Sequence, residues 1–187
     1  MNTPAHMALS LAVLGRRPGG WEWTTILAGA LLPDLFLYAR HFLRGTSGAF
    51  SPVAAYLGDV FNSVPLYGVL LAAGLLAGRP LLALLAGSAL IHIALDLPLH
   101  NRDAHAHFWP FTDWTFVSPI SFWDADHHGI LFGTLEGVLF VVCLVVIWRR
   151  IGGLWPRLLA TGFGGAYAMA FVHFFGHAFA SAHWALW

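Results

Sequence analysis

The sequence predicts an all-α, polytopic membrane bundle of about five to six helices with one long aromatic-rich outer loop, and three observations carry that prediction. Of the 187 residues, 58% are hydrophobic and 10% charged, far from the usage of soluble domains. The apolar residues gather into segments divided by short connections that hold arginine and tryptophan. The histidines and, Glu22 apart, the acids are confined to one end of those segments or the loops there. The chain, 1–187, reads as a single domain.

Taken in order, the apolar segments cover residues 4–14, 24–39, 63–77, 80–99, 130–148 and 157–180. A full crossing needs about 20 residues, so the last three qualify outright. The first is about 16 Å long as a helix and is expected to enter the bilayer partway. The third extends upstream from Asp59, with Pro65 in or near its first turn, where proline is tolerated. The N-terminus lacks a basic region before its apolar stretch and is expected to be retained rather than cleaved. Residues 100–128 form the one long connection.

Arg16 and Arg17, then Arg79, then Arg149, Arg150 and Arg157 occupy three connections that alternate correctly if all face the cytoplasm, with Arg40, Arg44 and Arg102 opposite. Trp21, Trp23, Trp148 and Trp155 then make an inner belt, and Trp109, Trp114, Trp123 and Trp184 an outer one. With nine arginines, no lysine and nine acids, net charge is zero and no basic surface recommends nucleic acid as a partner. The single cysteine, Cys143, sits in an apolar run and reads as a small core residue, so no thiolate metal site or disulfide forms within one chain.

All eleven histidines, and every acid except Glu22, fall in the outer halves of the segments or the outer loops. His92 and Asp96 are one helical turn apart on one side of the fourth segment, and Pro98 ends or kinks that helix. Asp34 follows Pro33 near the outer end of the second segment, and Glu136 lies about two turns inside the fifth. A buried carboxylate or imidazole in lipid costs several kcal/mol (about) unless paired or coordinated, so this set reads as metal coordination in preference to a helix staple. His105, His107 and His128 admit either a ligand role or a solvated loop role, and His41 and His183 read as solvated. His173 and His177 repeat the i, i+4 spacing, but no CxxCH supports haem. Gly129, Gly133 and Gly137 make two overlapping GxxxG steps, read as a packing face.

The stretches "TPAHMALSLAVLG", "GALLPDL", "HIALDLPLH", "DAHAHFWPF" and "SPISFWDADHHG" resemble bacterial inner-membrane metal-dependent hydrolases of the LexA-binding type, a family distantly similar to zinc-dependent phospholipase C. The resemblance runs from Thr3 to about Glu136. Carried over by position, it implies His6, Asp34, His92 and Asp96 as metal ligands converging on one point, followed by His100, Asp124 and His127. A phospholipase-like pattern would offer His-x-x-x-Glu, whereas Glu136 lies eight and nine residues after His128 and His127. Glu136 is kept in the candidate ligand set on its depth alone.

Imidazole and carboxylate donors without thiolate suit Zn²⁺, with Mn²⁺ or Fe²⁺ as alternatives, and five or six ligands would serve one ion or two. A spare carboxylate, Asp124 or Asp103, would accept a proton. The seven aromatics in "HFWPFTDWTFVSPISFW" read as an interfacial lid over a lipid-borne or amphipathic substrate reaching the site from the outer leaflet. The sequence therefore predicts a multi-pass protein of the bacterial inner membrane, a metal-dependent hydrolase whose site faces away from the cytoplasm. The alternatives are a non-catalytic metal site and, less favoured because the inner half lacks titratable groups, a metal or proton transporter.

Overall fold

A computed structural model describes residues 1–16, 20–42 and 50–180. Arg17, Arg44, His183 and Trp184, and the side chains of Arg40 and His41, lie outside what it describes. Among the described residues the fold is all-helical and no β-strand forms. The helices are α1 (Thr3–Leu14), α2 (Gly20–Leu31), α3 (Leu35–Phe42), α4 (Phe50–Phe61), α5 (Val64–Leu76), α6 (Pro80–Asp96), α7 (Gly129–Arg150) and α8 (Leu154–Ala180).

Three helices are long and apolar enough to cross a membrane, Pro80–Leu99, Gly129–Arg150 and Leu154–Phe179, and a fourth span forms if Pro52–Phe61 and Val64–Leu76 count as one helix bent by 46°. The count of about five to six helices is not confirmed: among the described residues there are eight α-helices, giving three or four candidate spans. The physical reason lies at two breaks. Pro33 has no amide proton and disfavours helical backbone at Leu32, so the 24–39 segment divides into α2 and α3 around a turn. The third segment continues upstream into α4 and bends at Asn62 and Ser63, where the Ser63 hydroxyl caps α5 by accepting from the Leu66 amide at 3.1 Å.

Helix α1 does not cross. It packs against α2, α6 and α7, and its Ala5, Ala8 and Leu11 share a buried cluster with Ile26, Phe140, Cys143 and Ile147. Cys143 is buried there as a core residue. A second cluster of Tyr67, Ala86, Ala89 and Ile93 joins α5 to α6. Helices α2 and α6 approach so closely that a Cβ at Gly29 would run into the Leu85 carbonyl oxygen and stand 2.9 Å from Ser88 Cβ. At that crossing the Ser88 hydroxyl donates to the Ile26 carbonyl at 2.6 Å.

The entry to α7 is a tight turn. His128 sits at φ 63°, and a side chain on Gly129 would collide with the Asp124 carbonyl, 2.6 Å from its Cβ position. Further along that face, Gly133 and Gly137 receive the Phe175 and Phe171 rings of α8. The rest of α8 turns large apolar side chains outward, among them Leu159, Phe163 and Met169, as a lipid-facing helix does.

Candidate metal centre

The site is assembled by the first turn of α1, the turn after α2 and the last turn and a half of α6. Helical spacing places His92 and Asp96 on one face of α6, and they are fully or almost fully buried, as is His6 on α1. Asp96 meets His6 on one oxygen and His92 on the other. His6 Nε2 lies 2.7 Å from Oδ1 and His92 Nε2 lies 3.0 Å from Oδ2. The two rings stack with centroids 3.7 Å apart and planes 13° from parallel. His92 Nδ1 donates to the Ala30 carbonyl of α2 at 2.7 Å, which leaves Nε2 as the coordinating nitrogen of the neutral ring.

The ligand atoms of His6, His92 and Asp96 all lie within 4.8 Å of one another, and this buried triad could hold a metal ion. Bonds of about 2.1 Å hold neighbouring donors about 3 to 3.5 Å apart, so the three side chains would draw together around an ion. His6 Nδ1 is buried without a hydrogen-bond partner, so nothing competes with Nε2 for the ring's orientation toward Asp96.

Asp34 borders the triad on its α2 side. Its Oδ1 is 3.6 Å from His92 Nε2, and its Oδ2 accepts from the Thr3 hydroxyl, which also lies 2.8 Å from the Tyr38 hydroxyl. His100 borders it on the loop side. Its Nε2 is 3.2 Å from Asp96 Oδ1 and its Nδ1 is 2.8 Å from Asp103 Oδ2, which also accepts from the Trp123 indole at 3.1 Å. The Met1 amine nitrogen is 3.0 Å from Asp96 Oδ1.

Burial alone would depress the basicity of His100, but its bonds to Asp103 and Asp96 outweigh burial and push it up to about 9. Asp103 is held below the usual carboxylate range, because its bonds from His100 and Trp123 outweigh its desolvation. His105 and His107 are shifted down, chiefly by burial, and would be neutral at physiological pH. The His105 ring stands 5.8 Å from that of His100 and 6.4 Å from that of His107, so a row of imidazoles leads outward from the triad.

The other candidates keep different company. Glu136 Oε1 accepts from the Asn2 amide at 3.1 Å, the Asn2 side chain at 2.8 Å and the Tyr167 hydroxyl at 2.6 Å. Its Oε2 is buried without a partner. Asn2 in turn accepts, through its carbonyl, the amides of Ala5 and His6, so Glu136 reaches the triad through the start of α1. Asp124 lies 3.0 Å from His127 Nδ1 and 3.0 Å from Arg102 Nε, and Arg102 extends to Asp126 at 3.2 Å. These groups form a clasp closing the loop ahead of α7. Desolvation raises Asp124, but the Asp126 amide, His127 and Arg102 together hold it below its ordinary value. His173 and His177 lie on α8 with rings 4.4 Å apart.

Thr3, Tyr38 and the Ala30 carbonyl were not singled out from the sequence. Thr3 had a usable signal, since it lies three residues before His6 and shares its helical face. Tyr38 had one too, four residues after Asp34. A backbone carbonyl carries none.

No protein-family model, curated protein or solved structure matches this chain. The site is therefore read from its own residues.

Proposed function

We propose that the chain is a membrane-embedded metal-dependent hydrolase that cleaves a phosphoester or other polar bond in a lipid-borne substrate. The observation that carries this reading is the buried triad, in which three donors from two helices converge and one imidazole is already fixed in its coordinating tautomer. His6, His92 and Asp96 would hold the ion, with Asp34 on one flank and His100 on the other. A bound divalent ion, zinc above all, supplies a hydroxide at neutral pH and polarises the scissile phosphoryl or carbonyl group.

The chain's own contribution is orientation and proton handling. Asp103 fixes the His100 ring through Nδ1, which aims Nε2 at the triad, where it can take or return a proton. Asp103 is better placed for this than Asp124, which is committed to His127 and Arg102. The aromatic loop supports a substrate at the membrane surface, since Phe111, Trp114 and Val117 are all exposed on it. We place the protein in a bacterial inner membrane with this loop outside the cytoplasm.

Complete burial of His6 and His92 favours a second reading, a structural metal staple. Elemental analysis decides whether a metal is held at all. Purified protein should carry about one to two transition-metal ions, and Asp96→Asn and His92→Ala should each lose them while still inserting. Full retention of metal by both variants refutes the site. Release of a headgroup, with or without its phosphate, or of fatty acid from mixed phospholipid micelles by the metal-loaded protein separates hydrolase from staple.

A further inference from the structure

A cavity of about 730 Å³ lies between α1, α2, α7 and α8, running from Met7 toward the α7–α8 connection at Gly152. Its walls include Met7, Leu11, Trp23, Ile147, Ile151 and Phe163, and every lining residue is apolar or glycine. The volume is in the range of small-molecule sites. Apart from the Trp23 indole N–H the walls offer water almost no partner, and a space this apolar favours an apolar guest. In a bilayer the guest at hand is a hydrocarbon chain.

Two arginines are fastened to the walls of this cavity. Arg150 Nη1 donates to the carbonyls of Leu11, Ala12 and Gly15 at 3.4, 2.8 and 3.1 Å, and Leu11 is a lining residue. Arg157 Nε donates to the carbonyl of Ile151, another lining residue, at 3.1 Å. Its guanidinium lies 4.5 Å from the centre of the Trp148 ring. Neither arginine has a carboxylate partner, and Arg150 Nη2 and both Nη atoms of Arg157 make no hydrogen bond among the described residues. Trp21 and Trp155, 78% and 75% exposed, mark this end as headgroup level. Glu22 is its one acid among the described residues, against Arg16, Arg79, Arg149, Arg150 and Arg157.

We propose that this end of the bundle is a binding site for one anionic phospholipid, its acyl chain in the cavity and its phosphate on Arg150 and Arg157. The charge matches only one class of lipid. A zwitterionic headgroup would bring its own cation against two guanidinium groups, whereas an anionic headgroup leaves its phosphate to accept their open N–H donors. The site is separate from the triad and stands whether or not a metal is held there.

The test uses the intact protein in vesicles of equal parts phosphatidylglycerol and phosphatidylcholine, extracted into mild detergent and weighed by native mass spectrometry. One phosphatidylglycerol should remain bound, preferred over phosphatidylcholine by about tenfold or more, as two arginines at about 1 kcal/mol each allow. Arg157→Gln should weaken retention about fivefold. Ala160→Trp fills the cavity and leaves both arginines in place, so it should also abolish retention. Equal retention of the two lipids, retention of neither, or undiminished phosphatidylglycerol on Ala160→Trp overturns the proposal. The competition on the unsubstituted protein decides the matter even if a variant fails to fold.

Discussion

Replacing Gly29 by alanine adds one methyl group at the α2–α6 crossing, and its effect on the site can be worked through. The new Cβ would overlap the Leu85 carbonyl and crowd Ser88, both backbone-fixed parts of α6, so the helices must separate. Overpacking of this kind costs about 1–3 kcal/mol. Separation also stretches the Ser88–Ile26 bond and the His92–Ala30 bond, each contributing about 1 kcal/mol. For a chain of this size a total of about 2–5 kcal/mol lowers the unfolding midpoint by about 5–15 °C. Because Ala30 follows Gly29 directly, the displacement also frees the His92 ring and should weaken metal binding about 10–100-fold, as loss of a ligand's orienting partner does. Gly87→Ala on the facing helix α6 is the control, since its Cβ would meet only a Leu14 methyl at 4.0 Å. Thermal unfolding in detergent and metal titration, run on both variants, check the argument. Equal midpoints and equal affinities for Gly29→Ala and Gly87→Ala would refute it.

Three further outcomes are expected. Glu136→Gln removes the charge that gathers Asn2 and Tyr167 and should weaken metal binding about tenfold through α1, with Tyr167→Phe milder; titration of the two variants measures this. Asp103→Asn should lower turnover at least tenfold while metal content stays unchanged, because its partner His100 loses its fixed ring orientation; loss of metal instead would make His100 and Asp103 part of the ligand shell. In a Cys143→Ala background, Thr112→Cys should react with an impermeant maleimide added outside intact cells and Gly153→Cys should not. The inverse pattern would turn the triad toward the cytoplasm.

What the sequence revealed followed the range of the interactions involved. The pairing of His92 with Asp96 is local, set by the helical period, and could be read directly. The arrival of His6 beside them depends on packing across 90 residues of chain and was suggested by motif order alone. Pro33 was visible, yet the apolar run continued through it, so the division of α2 from α3 was read as one segment. Glu136 was singled out as a candidate ligand on its depth; it is buried, but its partners, Asn2 and Tyr167, come from two other helical regions that no spacing rule connects. The Arg102 clasp on Asp124 and Asp126 was hidden for the same reason.

The attachment of α1 to α7 at both ends has a consequence for how the protein is made. Asn2 is tied to Glu136, and Leu11, Ala12 and Gly15 are tied to Arg150, so the short helix that carries His6 is held in place by a segment translated more than a hundred residues later. When α6 leaves the ribosome, His6, Asp34, His92 and Asp96 have all been synthesised, but the helix that fixes α1 at its depth has not. Until α7 inserts, α1 has only its contacts with α2 and α6 to hold it. A nascent or truncated chain ending before Gly129 would own every one of those four donors without the ties from Glu136 and Arg150, and is expected to hold a metal less well than the full chain.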